Sequence, residues 1–337
     1  TLYIMDCDGK NMRRLSESPL NESSPSVMDD GRLLYTRWEY IDKGLGNGAG
    51  LWALRPDGSG SDHVYKNNTV RPAGMSGARN IPGTQRIVTI GGPHHFTATG
   101  AVVLVDARRS RRDTDAMTSI TPETGYPSMF PATNKFGFFM DPYPLSEKFF
   151  LVSHKLTSNG SGGRFGIYAL DAWGNRTALY RDPNIDCFEP MPIRPRRKPA
   201  TIAPVAATHN RVAATHNLAP REHTGAAPAN AADKEHTATL YIQDVYRGMT
   251  GIERGRVEYV RVMGALEWPW NVEGIRYVGP DVHRKKVYGV AKVHEDGSAC
   301  FTVPAQQNLF FQALDEDFMS LQHMATFINL MPGEQRS

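Results

Sequence analysis

The sequence predicts an all-β chain, with a partial β-propeller followed by a small β-sandwich-like domain. Three observations carry that prediction. Short strands of alternating apolar character recur at 2–6, 51–55, 101–106 and 167–171, a spacing of about 50 residues with one longer interval. Turn residues follow three of them: Asp8-Gly9, Asp57-Gly58 and Trp173-Gly174-Asn175. Such turns close hairpins, because glycine adopts the positive φ they need at little cost. Finally, apart from one late stretch, no segment sustains the 3.6-residue apolar period of a helix, so a helix-crossed parallel sheet is excluded.

The elements follow in order. After each Gly-containing turn a strand returns, at 12–15, 63–65 and 177–180. Another strand precedes each later motif, at 32–38, 86–90 and 148–153, and residues 24–31 add a short strand ending in Asp30-Gly31. Short strands at even spacing with turns between them make propeller blades. This form resembles the WD-like blades of Tol-type periplasmic propellers, and the resemblance covers residues 1–200. Thr1 already lies in a strand and the end at 333–337 is abrupt, so the chain reads as an internal fragment whose N-terminal blades lie outside it.

Residues 201–237 are expected to be a low-complexity insertion. Ala, Thr, His and Asn dominate, and the segment has no apolar pattern from which to build a core. Its histidines, His209, His216, His223 and His236, match no closed zinc spacing. Residues 238–337 return to β segments joined by turns such as Glu295-Asp296-Gly297, and they predict the closing strands and the sandwich-like domain. The late helix candidate spans 318–327.

Composition excludes several functions. A formal net charge of +3 over 337 residues excludes a strongly basic nucleic-acid binder. No apolar run approaches the length of a membrane span. Three widely separated cysteines suggest free thiols rather than a disulfide framework.

Three strings narrow the reading: 24–40 around Asp30-Gly31-Arg32, 166–183 around Trp173-Gly174-Asn175, and 295–305 with its continuation to 336. Together they resemble the hydrazine synthase alpha subunit and its homologues. That resemblance implies a propeller plus a β domain, an extracytoplasmic (periplasmic) location, and c-type haem. In the family, a Pro-Gly-Glu-x-Arg string such as 332–336 leads into a Cys-x-x-Cys-His haem-attachment motif. No such motif occurs in these 337 residues, so haem c is expected in a continuation and not on this chain. The implied function is a scaffold and docking region of a multidomain c-type cytochrome, with a haem domain or cytochrome subunit as partner. One alternative is a portion of a haem-dependent redox active site with a metal at Cys187. Another is a non-redox, Tol-like propeller that binds protein or glycan.

Candidate site residues follow. The resemblance implies zinc at Cys187, which sits at a blade junction. Thiolate is a good zinc ligand, and packing as a small apolar residue is the other reading. His94 and His95 follow Gly91-Gly92-Pro93 at a strand end, where imidazoles ligate metal or haem iron, move protons, or simply hydrogen-bond the loop. His154 ends another strand and could join them on the same face. His323 and Met324 are candidate axial ligands for haem supplied elsewhere. The run 36–40 mixes Arg37, Glu39 and aromatics, read either as a polar binding surface or as a structural Trp38 beside an Arg–Glu pair. The basic clusters 108–112 and 194–198 lack the interleaved aromatics of single-strand binders. They suit a solvated loop or docking to an acidic partner.

Overall fold

The computed structural model describes residues 1–18, 20–39, 41, 43, 48–67, 69–95, 98–127, 136–156, 163–205, 236–266 and 284–337. These contain strands and two 3-10 turns, with no α-helix among the described residues. Most of the insertion expected at 201–237 lies outside the described residues. The chain divides into two compact units. One comprises Thr1–Leu2, Leu20–Pro56 and Asp62–Ile202, and the other comprises Tyr3–Pro19, Asp57–Ser61 and Ala203–Ser337.

The chain opens with a hairpin of the second unit, β1 (Tyr3–Ile4) and β2 (Arg13–Arg14). The first unit then supplies three four-stranded antiparallel meanders. Blade 1 is β3 (Asn21–Val27), β4 (Leu33–Trp38), β5 (Ala49–Leu54) and β6 (Asp62–Tyr65). Blade 2 is β7 (Gly74–Asn80), β8 (Ile87–Gly92), β9 (Ala101–Val105) and β10 (Met117–Ser119). Blade 3 is β11 (Phe138–Pro144), β12 (Phe149–Lys155), β13 (Gly166–Asp171) and β14 (Arg176–Tyr180). The innermost strand of each blade packs on the face of the one before: β7 against β3, β4 and β5, and β11 against β7, β8 and β9. Propeller blades stack in this way.

The apolar pattern records each blade's place in the stack. In β9 every residue is buried. Ala101, Val103 and Val105 join a core with Leu34 and Leu51 of blade 1 and Met75 of their own blade. Val102 and Leu104 join the opposite core with Phe139, Phe150 and Leu170. Covered on both faces, β9 reads as a continuous apolar run. In blade 3, β13 alternates buried and half-buried residues, and the outermost β14 is largely exposed.

One device recurs in all three blades. Each innermost strand carries a bulge at which two residues oppose one of the next strand. The first bulged residue is left-handed every time: Ser24 (φ 53°), Gly77 (φ 60°) and Asp141 (φ 50°). The bulges also join blade to blade. Ser26 Oγ donates to Ala78 O at 2.7 Å, and Pro142 Cδ lies 3.6 Å from where a Cβ on Gly77 would sit.

The second unit continues with β15 (Thr237–Ile242), β16 (Tyr259–Leu266), β17 (Arg284–Lys292), β18 (Ala299–Pro304), β19 (Leu309–Leu314), β20 (Ser320–His323) and β21 (Gln335–Arg336). Two sheets, ordered β18-β15-β21 and β17-β16-β19-β20, share a core that includes Leu240, Val260, Val262, Phe301, Val303 and Leu309. Full burial of each such side chain contributes roughly 1.5–3 kcal/mol. Buried Glu334 lashes this unit together by accepting the N–H groups of Met331 (2.8 Å) and Gly60 (3.1 Å). Arg336 donates to Ser61 O at 2.6 Å.

The helix expected over 318–327 is absent. Asp315 Oδ1 accepts the N–H of Met319 at 2.8 Å, and Phe318 is left-handed (φ 60°). That turn folds β20 back onto β19, whose edge would otherwise stay open.

Candidate functional site

Strand register places three positions of the repeat on a common footing. Arg37 pairs with Gly50, and His154 pairs with Gly166. Counted from the bulges, the blade 2 equivalent is Gly91, which pairs with Ala101, so a glycine partner on the third strand occurs in blades 1 and 3 alone. Both partner glycines lie beside backbone. A Cβ on Gly50 would meet Lys66 O at 2.4 Å, and one on Gly166 would meet Tyr180 O at 2.8 Å. The ends of the second strands thus share one repeat position, filled by Arg37 in blade 1, Gly91 in blade 2 and His154 in blade 3.

Blade 1 concentrates charge there. Arg37, Glu39, Lys43 and Lys66 are all buried. The Lys43 ammonium donates to Glu39 Oε1 at 2.6 Å, and Arg37 Nε lies 3.5 Å from Glu39 Oε2. The Arg37 guanidinium sits 4.6 Å over the Trp52 ring, whose other neighbour is His63, edge-on at 5.6 Å. Lys66 donates to Ala73 O at 2.8 Å. Burial pushes the Lys66 ammonium down to about 7, with the Lys43 charge adding to the effect. Burial also lowers Lys43, against the pull of Glu39. His63 is pushed down to about 4 by burial and then by Lys43, so it is neutral near pH 7. Charges are held away from water only where other groups compensate, and such clusters are where function concentrates.

Blade 2 joins this cluster through His94, which is buried and meets Trp38 edge-on at 5.4 Å. The exposed His95 stands edge-on to His94 at 4.6 Å. Burial, then His95, then Lys66 lower the affinity of His94 for a proton. Of the two readings of the run 36–40, the structure shows the buried Arg–Glu pair, at Arg37 and Glu39.

Blade 3 answers with an uncharged group. His154 is 1% exposed, stacks on Phe139 (4.2 Å, 9°) and meets Tyr168 edge-on. Its Nδ1 lies 3.0 Å from Phe138 O. A carbonyl only accepts, so Nδ1 carries the proton and Nε2 presents a lone pair. Nε2 is buried with no hydrogen-bond partner among the described residues. Burial pushes His154 down to about 4.

The remaining candidates stand apart. Cys187 is a half-buried free thiol in the first unit, close enough to Tyr180 to perturb it, and its N–H donates to Phe165 O at 2.9 Å. Among the described residues no group of three or more His, Cys, Asp or Glu side chains could hold a metal ion. One thiolate does not make a four-coordinate zinc site, so these donors do not by themselves fit zinc. His323 and Met324 belong to the second unit. His323 is exposed at the end of β20, and half-buried Met324 donates its N–H to Phe311 O at 2.8 Å. Sequence reasoning missed Lys43, Lys66 and His63, since none sits in a motif. A lysine directly after the apolar strand 62–65 was the one available signal.

The comparisons agree with this architecture. The family model described as hydrazine synthase alpha subunit middle domain matches residues 248–337. Among solved structures, the chain is similar to Kuenenia stuttgartiensis hydrazine synthase, with a TM-score of 0.73 and 18% identity. That match covers 96% of this chain and 44% of the solved one, so the chain spans less than half of the length of its match. No curated protein matches. The C-terminal 90 residues are thus hydrazine synthase alpha-like, and the fold is shared across nearly the whole chain. No helix among the described residues is long and apolar enough to cross a membrane.

Proposed function

We propose, starting from a chain that resembles the hydrazine synthase alpha subunit, that it is the scaffold and docking region of an extracytoplasmic multidomain c-type cytochrome. The match of residues 248–337 to the alpha subunit middle domain carries this reading. The three-blade fold supports it, since the blades bring Arg37, Glu39, Lys43, Lys66 and His94 to one assembly. Haem c would be supplied by a haem domain or cytochrome subunit, because this sequence contains no Cys-x-x-Cys-His. Haem supplies electron transfer when bound. The chain's own part is to hold a buried polar assembly in which His63 stays neutral near pH 7 and burial weakens the hold of His94 on a proton.

The coding frame beyond Ser337 and the protein from its native cells test this. A Cys-x-x-Cys-His motif downstream and a c-type haem spectrum in the purified protein or its complex are expected. A frame without the motif, together with a colourless native protein, overturns the reading and leaves a non-redox binding propeller.

A further inference from the structure

We infer that residues 187–202 form a preordered basic strap that docks an acidic protein partner. Four cations, Arg194, Arg196, Arg197 and Lys198, fall within 190–202, and no carboxylate does. The chain as a whole carries only +3, so this is a local concentration of charge.

The strap is tied down along its length. At its start, Cys187 N–H donates to Phe165 O at 2.9 Å, and Phe165 N–H to Asp186 Oδ1 at 2.7 Å. Glu189 N–H donates to Asp141 Oδ2 at 3.2 Å. Asp141 is the left-handed bulge residue of blade 3, a position that blade 2 fills with glycine. A carboxylate kept there at a steric cost of about 1 kcal/mol holds the strap. In the middle, Arg196 donates to the Tyr143 hydroxyl at 3.4 Å and Arg194 to Leu145 O at 3.5 Å. At the far end, Ala200 N–H donates to Asp29 O at 3.1 Å. Gly31 (φ +88°) leaves room for this crossing, since a Cβ there would sit 2.1 Å from Ala200 O.

Between these ties the strap faces outward. Pro190, Pro192, Pro195 and Pro199 fix φ and remove N–H donors, which favours an extended form without a ladder. Ile193 is fully exposed at 106%, Met191 is 56% exposed, and Arg197 and Lys198 are exposed. Much of the ordering entropy that a loose peptide would lose on binding is already spent. Extended Pro-rich segments dock into grooves of partner proteins, with pockets for single side chains such as Ile193. A membrane would call for a broad apolar face and a single-stranded nucleic acid for a series of stacking aromatics, whereas the strap has one aromatic, Phe188, which packs against Phe165 at 5.2 Å.

This deepens the docking reading and rests on it for the choice of probe. The test uses the full chain, immobilised, with an acidic c-type cytochrome as probe at about 20 and about 300 mM salt. An acidic haem-free protein and phosphatidylserine vesicles are run alongside. Binding is expected at low salt and lost at high salt. The double variant Arg197→Glu/Lys198→Glu is expected to weaken it at least ~10-fold, and Ile193→Ser roughly 5-fold. Denaturation curves for these variants should match the wild type. Asp141→Gly should weaken binding and expose 194–198 to trypsin. If the cytochrome binds equally well to every variant, the strap is overturned while the docking reading stands. If the haem-free protein binds as tightly and with the same dependence on the strap, the strap stands and the cytochrome reading loses support. Absence of any protein binding, or binding to vesicles alone, overturns the strap.

Discussion

Blade 1 and blade 3 fill one repeat position with opposite chemistry. At the end of β4, Arg37 is buried beside Glu39 and Lys43, charge answering charge. At the end of β12, His154 is buried among Phe139 and Tyr168 and gives up its charge. Both sites are closed to water, so the difference lies in what stands next to them. A guanidinium cannot lose its proton and needs a carboxylate. An imidazole can lose its proton, and one carbonyl at Phe138 is enough.

The largest effect should come from breaking the blade 1 solution. Glu39→Gln leaves Arg37 and Lys43 buried without that carboxylate. A loss of about 3–5 kcal/mol in chemical denaturation is expected. A loss below about 1 kcal/mol would show that water reaches the cluster.

Next comes pH. His154 and His63 are held near 4 in the fold, against about 6.5 unfolded. Their folded-state values are depressed, so the unfolded chain binds protons first as pH falls. Their contribution is complete above about 6.5 and is lost progressively down to about 4, at most about 3 kcal/mol for each. Denaturation midpoints between pH 7.5 and 4 should fall accordingly. In His154→Phe the fall should be smaller, and an unchanged slope would show that His154 is not held neutral.

A smaller effect sharpens the comparison at the bulges. Ser24→Gly should stabilise blade 1 by up to about 1 kcal/mol by relieving its left-handed backbone. Gly77→Ala should cost blade 2 a similar amount. The nearest neighbour of the new methyl is Pro142 at 3.6 Å, so φ and not crowding sets that cost. Opposite signs for the two variants are the prediction. The smallest effect belongs to Leu179→Ser on the exposed face of β14, within about 0.5 kcal/mol.

Much of the fold was legible because its signals are local. Asp57-Gly58 and Trp173-Gly174-Asn175 announced their hairpins, and the strand at 101–105 was read from its apolar residues, although as alternating where the structure buries every residue of it. The bulges left no comparable trace, since Ser24, Gly77 and Asp141 share a backbone angle and no chemistry. The stretch 318–327 looked helical because its apolar spacing outlasts the turn that breaks it, a turn held by the Asp315 side chain together with backbone bonds at Asp315, Phe318 and Met319. Of the site, Arg37, Glu39, His94 and His154 could be named from strand ends. Their assembly could not, because it depends on which strand ends the stacking of blades brings together. Lys43 and Lys66 became visible only through burial, a property of the folded chain.

The recurring bulge also has a consequence for ancestry. The Ser26–Ala78 bond and the approach of Pro142 to Gly77 both lie at bulges, where each blade meets its neighbour. A duplicated or deleted segment that starts and stops between joints inherits a fitting seam, whereas one that cuts through a blade leaves two seams that match nothing. The lineage of this architecture is therefore expected to lengthen and shorten in whole-blade steps.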